Sequence, residues 1–457
     1  MNVAQKTIDP TRLAKLIEVE EAEFNARQNG SRKLTDRARK ALAGGVASSW
    51  QSTDPHPIYL VDGHGSKVTD QDGNEYVDFH NGYGAMAVGH AHPKIAEVVS
   101  DRVRRGTHFA QPTEDSVIVG EHLQKRFGLP LWRFCNSGTE ATMDAVRLMR
   151  AITGRDILLK IEGSYHGHGD PVMVSVAPPA DKIGSYDDPV SVPQTIGIPD
   201  EVVQLTRVVP FNDLEALERT LGRYRGRVAG MIVEPAMMNA GFVLPEDGYL
   251  AGVKELLHAE GALLTFDEVK TGATIAYGGA VERFGVTPDL ICLAKSVGGG
   301  LPCGAIGGTD EVMGWIADGR IDQVGTFNGN PLTMAAMRVT LTEILVPEAY
   351  TEFDRLGEIL RAGCDGVIER TGLAGYTTVK SARGAVTYRG ERVRNYRDYL
   401  EVNEDLGYIN WLVQLNRGVF MAPWGKSENW TLSVQHSEED VRRYVDNFDY
   451  LGRALAV

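Results

Sequence analysis

The stretch "DLICLAKSVGGGLPCGA", residues 289–305, is the one whose reading decides the fold. Leu290 to Ala294 form a short run that is apolar throughout, the mark of a strand buried on both faces of a parallel sheet. Lys295 closes that run, and an ammonium there is costly unless it is paired, neutral or used covalently. Gly298, Gly299 and Gly300 follow, so the chain gives up stiffness beside the lysine to turn tightly or to let a ligand approach.

Similar runs recur upstream. "LWRFCNS", "DILLKIEG", "VAGMIVEPA" and "ALLTFDEV" read as strands, and "GTEATMDAVRLMRAIT" and "GYLAGVKELLHAEG" as amphipathic helices between them. Apolar strands alternating with helices predict an α/β fold with a mostly parallel sheet covered on both faces. Before them, residues 9–43 read as helical and charged, ending at Gly44-Gly45, and "PIYLVDGHGSKVTDQDGNEYVDF" as a hairpin or meander with Asp-Gly turns. After about residue 345 the alternation weakens, which indicates a smaller α+β portion. The expected division is an N-terminal helical segment and meander over 1–85, a large domain over 86–345 and a C-terminal α+β domain over 346–457. The Pro, Gly and Asp-rich stretch 177–200 reads as a long loop over a site or an interface.

Composition narrows the function. A net charge of −14 argues against nucleic-acid or anionic-membrane partners, both polyanions. With no signal-like h-region, no apolar run near bilayer length and four cysteines without a C-x-x-C pair, the expectation is a cytoplasmic enzyme. Gly82, Gly84 and Ala87 have dinucleotide-fingerprint spacing, but "GHAHP" follows too soon for a long helix to open there. His166 and His168 lack a third partner at metal-ligand spacing.

Four segments place reactive types where strands end, the rim at which open α/β sheets bind ligands. Ser137, Gly138 and Thr139 stand at a helix start, where amides and hydroxyls face an anion. Tyr165-His166, between glycines, can stack on a flat ligand. Asp267 ends an apolar strand and needs a cationic partner. Lys295 lies 28 positions further on, counted from 267 to 295, room for a helical crossover between neighbouring strands. A phosphate cradle, a stacking aromatic, a buried carboxylate and a buried amine together describe a site for pyridoxal phosphate. Lys295 would hold its aldehyde, and Asp267 would keep its ring nitrogen protonated.

With "NSGTEA", "YHG", "IVEP", "DEV", "LAKSVGGGLPCGAIGG" and "GTFNGNP" in order, the chain resembles the class III, fold type I pyridoxal-phosphate aminotransferases from about residue 40 onward. The branch is the one that includes glutamate-1-semialdehyde aminomutase. The resemblance implies a large domain with a mostly parallel seven-stranded sheet, plus a smaller α+β domain from both chain ends. It implies catalytic roles for Lys295 and Asp267, with Val269 and Tyr165 on opposite faces of the cofactor ring. It places Ser137, Gly138 and Thr139 at the phosphate, His166, Glu234 and Asn239 in the same site, and Thr326 at the phosphate of a second subunit in a homodimer. The implied reaction is ping-pong: an amine or amino acid gives up its amino group, and an oxo acid or ketone collects it. Departures lie at the substrate end. The aminomutase branch reads "GGVNSPVR", whose arginine meets a carboxylate, where this chain has "GGVASSWQ" and Gln51. Where that branch carries a Ser-x-Phe-Glu element, this chain reads "APWGKSENW" over 422–430. Trp50, Trp424 and Trp430 are therefore expected to line an aromatic pocket, and Arg417 is one candidate for a substrate carboxylate. The expected activity is an aminotransferase for substrates with a bulky apolar or aromatic group; the alternative is an isomerase, either a 2,1-aminomutase or an amino-acid racemase.

Overall fold

The computed structural model describes residues 8–423, 426 and 429–456. Its strands are β1 (Leu60–His64), β2 (Lys67–Asp70), β3 (Glu75–Asp78), β4 (Leu131–Cys135), β5 (Ile157–Ile161), β6 (Thr206–Val209), β7 (Val228–Val233), β8 (Leu263–Asp267), β9 (Leu290–Ala294), β10 (Gly304–Gly308), β11 (Tyr376–Lys380), β12 (Arg383–Thr387), β13 (Val419–Phe420) and β14 (Trp430–Thr431).

The central sheet has seven strands in the order β4-β10-β9-β8-β7-β5-β6. β5 through β9 run parallel to their neighbours, and β10 alone is antiparallel to both β9 and β4. Every residue of β5, β7, β9 and β10 is buried, as their mostly apolar runs require, Lys160 on β5 being the one charged exception. The helix Gly138–Thr153 shows how sharply local signals end an element. Ser137 Oγ accepts from Glu140 N–H at 3.2 Å at its start, and Gly154 closes it with φ +66°.

The chain ends meet away from this sheet. β13 runs parallel to β3, joining the C-terminal region to the N-terminal meander in one four-stranded sheet. Asn416 Nδ2 donates to Glu20 O at 2.9 Å, pinning the helix Glu404–Asn416 to the helix Pro10–Arg27. The long helix Pro347–Thr371 packs along the C-terminal helix Glu438–Leu455. The helical, charged N-terminal stretch is divided into two helices, Pro10–Arg27 and Asn29–Ala38. Gln28 breaks it because its buried side chain donates to Asp70 Oδ2 at 2.8 Å and to Tyr76 Oη at 2.7 Å, a tertiary pull that a helical pattern cannot announce. The stretch expected as a loop is without helix or strand over 177–199, a short helix opening at Asp200, and Arg397 gathers the carbonyls of Ile183, Gly184 and Ser185 within it.

Phe266, on central β8, is completely buried. Phe266→Ala should destabilise the chain by about 3–5 kcal/mol in urea unfolding, because the sheet cannot collapse onto the void. A cost below about 1 kcal/mol would mean that this strand does not sit in a packed core.

Candidate active site

β8 and β9 are parallel neighbours, with Asp267 level with Cys292. Their last residues therefore emerge on the same edge, and Asp267 and Lys295 open into one cavity of about 370 Å³. Ser137, Gly138, Thr139, Tyr165, His166, Glu234, Asn239 and Val269 line the same cavity, so ten residues expected from four separated segments and from the resemblance converge.

Each wall has a local cause. At the start of the helix Gly138–Thr153, Ser137 Oγ accepts from the Glu140 amide and keeps its own O–H to donate, and with the first-turn amides of Gly138 and Thr139 at the cavity wall this makes a set of anion donors. At the opposite end Asp267 is held rigidly. His166 Nδ1–H donates to its Oδ2 at 2.7 Å and Val269 N–H to its Oδ1 at 3.0 Å. Its neighbour Glu268 turns away into the protein, accepting from Ala280 N–H at 2.7 Å, and burial pushes its carboxyl up to about 7. Glu234 braces a third side, taking Tyr165 N–H at 3.0 Å and Met238 N–H at 2.9 Å on its two oxygens.

Lys295 has φ +53°, a left-handed conformation that costs a β-carbon residue about 1–2 kcal/mol. Gly299 and Gly300, at φ +60° and +91°, complete the turn that holds it. Burial pushes the Lys295 amine down to about 7, with help from the charges of Lys270 and Arg383 and against the pull of Asp267 and Glu234. The site thus favours the neutral, nucleophilic form of the amine.

The residues present fit pyridoxal phosphate. A β-carbon at position 138 would meet Val269 Cγ2 at 2.8 Å, so the helix start is open to an anion only because glycine stands there. His166 Nε2 is buried with no partner among the described residues, while Nδ1 secures the carboxylate at the far end of the cavity.

The substrate-end expectations fare differently. Trp50 does reach the site rim: its ring meets Tyr165 edge-on at 5.6 Å and Tyr83 at 5.5 Å, and its carbonyl accepts from Tyr83 Oη–H at 2.9 Å. Gln51 does not line the cavity, because its Oε1 turns back to accept Ala47 N–H at 3.2 Å. Trp430 is no pocket residue either; it is fully buried in the C-terminal core, ring against Tyr444 at 5.3 Å. Arg417 is spent on a bidentate pair with Glu20, both contacts at 2.9 Å, beside Tyr450. Trp424 lies outside the described residues. Thr326 is exposed and lines a separate surface groove together with Val324 and Asn328.

Sequence reasoning missed Tyr83 and Lys270. Tyr83 has φ +57° beside Gly82 and Gly84, and a tyrosine inside such a left-handed run is a signal that the dinucleotide comparison passed over. Lys270, three residues after Asp267, lines the cavity and donates to Met238 O at 2.9 Å.

Residues 48–381 match the family described as aminotransferase class-III. The chain is 38% identical over 423 residues to a glutamate-1-semialdehyde 2,1-aminomutase from Exiguobacterium, covering 92% of this chain and 95% of the relative. In structure it is similar to an omega-transaminase from Sphaerobacter thermophilus, with a TM-score of 0.89, 34% identity, and 94% and 99% of the two chains covered. It is equally similar to a glutamate-1-semialdehyde aminomutase from Pseudomonas aeruginosa solved in complex with PMP, with a TM-score of 0.89, 30% identity, and 98% and 99% covered. The chain belongs to the class III aminotransferase family of pyridoxal-phosphate enzymes.

Proposed function

We propose that the protein is an aminotransferase that takes the amino group of an amine or amino acid with a bulky apolar or aromatic group and delivers it to an oxo acid or ketone. The observation that carries this reading is the rim: Trp50 stands edge-on to Tyr165 and Tyr83, while the place of the aminomutase arginine holds Gln51, a neutral side chain turned away. A substrate entering there meets three aromatic rings.

In this reading the amides and hydroxyls of Ser137, Gly138 and Thr139 hold the cofactor phosphate. Asp267, fixed by His166, faces the ring nitrogen, and Val269 and Tyr165 enclose the ring with Glu234 and Asn239 beside it. Bound there, the cofactor supplies an electron sink for the charge left when a proton leaves the substrate carbon. Lys295 takes that proton and returns it, a task suited to an amine whose affinity for protons lies near neutrality. Thr326 serves the phosphate of a second copy, which accounts for its place on a surface where Val324 and Phe327 are 83% and 57% exposed.

One observation favours a second reading. The relatives of this chain covering about nine-tenths of it carry the name glutamate-1-semialdehyde 2,1-aminomutase, so sequence likeness speaks for the isomerase. The two readings part in a single assay. Given an aromatic amino donor alone, an aminotransferase releases one equivalent of oxo product per subunit and stops until an acceptor is added. Sustained conversion of glutamate-1-semialdehyde to 5-aminolevulinate without an acceptor, far faster than any transfer, would establish the isomerase instead.

Two further outcomes follow from Lys295. Lys295→Ala should lower turnover by about 10³-fold while the unfolding midpoint stays near wild type; near-normal turnover would remove the lysine from the reaction. Because its folded pKa is about 7 and below the ordinary lysine range, the neutral amine grows as pH rises through 7. The rate at which cofactor-free protein captures added cofactor, followed by absorbance, should rise from about pH 6 to about pH 8 and then level. A rate that keeps climbing to about pH 10 would indicate an ordinary, solvated lysine.

A further inference from the structure

A fully buried lysine stands behind the site, and the reaction does not use it. Lys160, on β5, is completely buried. Its Nζ donates to Ser164 O at 2.8 Å and to Val174 O at 2.6 Å. The carboxylates nearest in charge are engaged elsewhere: Glu162 with Arg397 at 3.0 Å, and Glu234 with the amides of Tyr165 and Met238. Among the described residues, Lys160 makes no salt bridge. An amine placed so deep for two backbone carbonyls is an expensive way to satisfy a loop, which directs attention to the loop it holds.

That loop carries Tyr165 and His166. Ser164 O belongs to the peptide that joins Ser164 to Tyr165, and the N–H of the same peptide donates to Glu234 Oε1 at 3.0 Å. One peptide plane is therefore clamped from both sides, by an amine on its carbonyl and a carboxylate on its amide. The second Lys160 bond, to Val174 O, ties in the returning strand of the loop, where Gly163 N–H also donates to Ser175 O at 2.9 Å. On the far side, Thr142 Oγ1–H donates to His166 O at 2.6 Å. The direction in which Tyr165 leaves the backbone is set by these bonds.

We propose that Lys160 is a positioning residue for the cofactor: through the Ser164 carbonyl it fixes the peptide from which the Tyr165 ring projects into the cavity. This rests on the reading that Tyr165 faces the cofactor ring. Burial pushes the Lys160 amine down to about 7, yet the neutral amine still has two N–H groups for its two carbonyls, so the clamp survives deprotonation.

Lys160→Met removes both donors at nearly constant length, and Lys160→Gln keeps a neutral donor pair one atom shorter. Both are read by visible circular dichroism of the bound cofactor, which reports how the cofactor is held, and by kcat and KM at saturating cofactor. Lys160→Met should lose more than half of the dichroic amplitude and about tenfold in kcat, with KM within about twofold. Lys160→Gln should restore kcat to within about threefold of wild type. In a Tyr165→Leu background, which has no ring to orient, Lys160→Met should add no dichroic change; if the Met variant does not fold, Lys160→Ala, which removes both donors and leaves room for water, is read in the same two backgrounds and decides the matter. Wild-type dichroism and kcat in both variants, with only the unfolding midpoint lowered, would reduce Lys160 to structural support. An equal dichroic change in the Leu background would also overturn the proposal. A wild-type protein that takes up no cofactor would instead sink the functional reading itself.

Discussion

Two charged side chains share one cavity because their strands are parallel neighbours. β8 ends in Asp267 and β9 runs directly into Lys295, and register alone places both on one edge of the sheet. Burial then does chemistry that water would prevent. It discharges the Lys295 amine toward neutrality, and it makes Asp267 depend on His166 and the Val269 amide for its place. The left-handed backbone at Lys295 is the strain this arrangement carries, and the buried packing around β8 and β9 sustains it.

Around that pair the supports are rigid and largely backbone-directed. Glu234 takes two amides, His166 takes a carboxylate, and the helix start at Gly138 keeps its own side-chain cap while presenting free amides to the cavity. Such a frame suits any reaction that begins with an amine and this cofactor, which explains why the fold is shared at the same TM-score by an omega-transaminase and a glutamate-1-semialdehyde aminomutase. The backbone cannot choose between them. On the proposed reading the rim does, because Trp50, Tyr83 and Tyr165 offer aromatic faces where a guanidinium would offer a charged fork.

The cofactor end is legible in the sequence for a definite reason. Asp267 and Lys295 interrupt apolar runs, and a charge in such a place is conspicuous from the order of residues alone. The helix Gly138–Thr153 is legible from Ser137 to Gly154 because its caps are local. What escapes such a reading depends on distant contacts. The pairing of His166 with Asp267 spans 101 residues, and the bond from Tyr83 to Trp50 spans 33. Trp430 and Arg417 are misplaced by sequence because an indole and a guanidinium carry no address of their own; one finds Tyr444 and the other finds Glu20. The helix break at Gln28 has the same origin, in bonds to Asp70 and Tyr76 that lie beyond any local window.

The most direct measurement reduces the cofactor-loaded protein with borohydride, digests it and maps the modified side chain by mass spectrometry. The account requires the cofactor mass on Lys295, with Lys160 and Lys270 unmodified. Label on another lysine, or no covalent label in a protein that retains its colour, would contradict it.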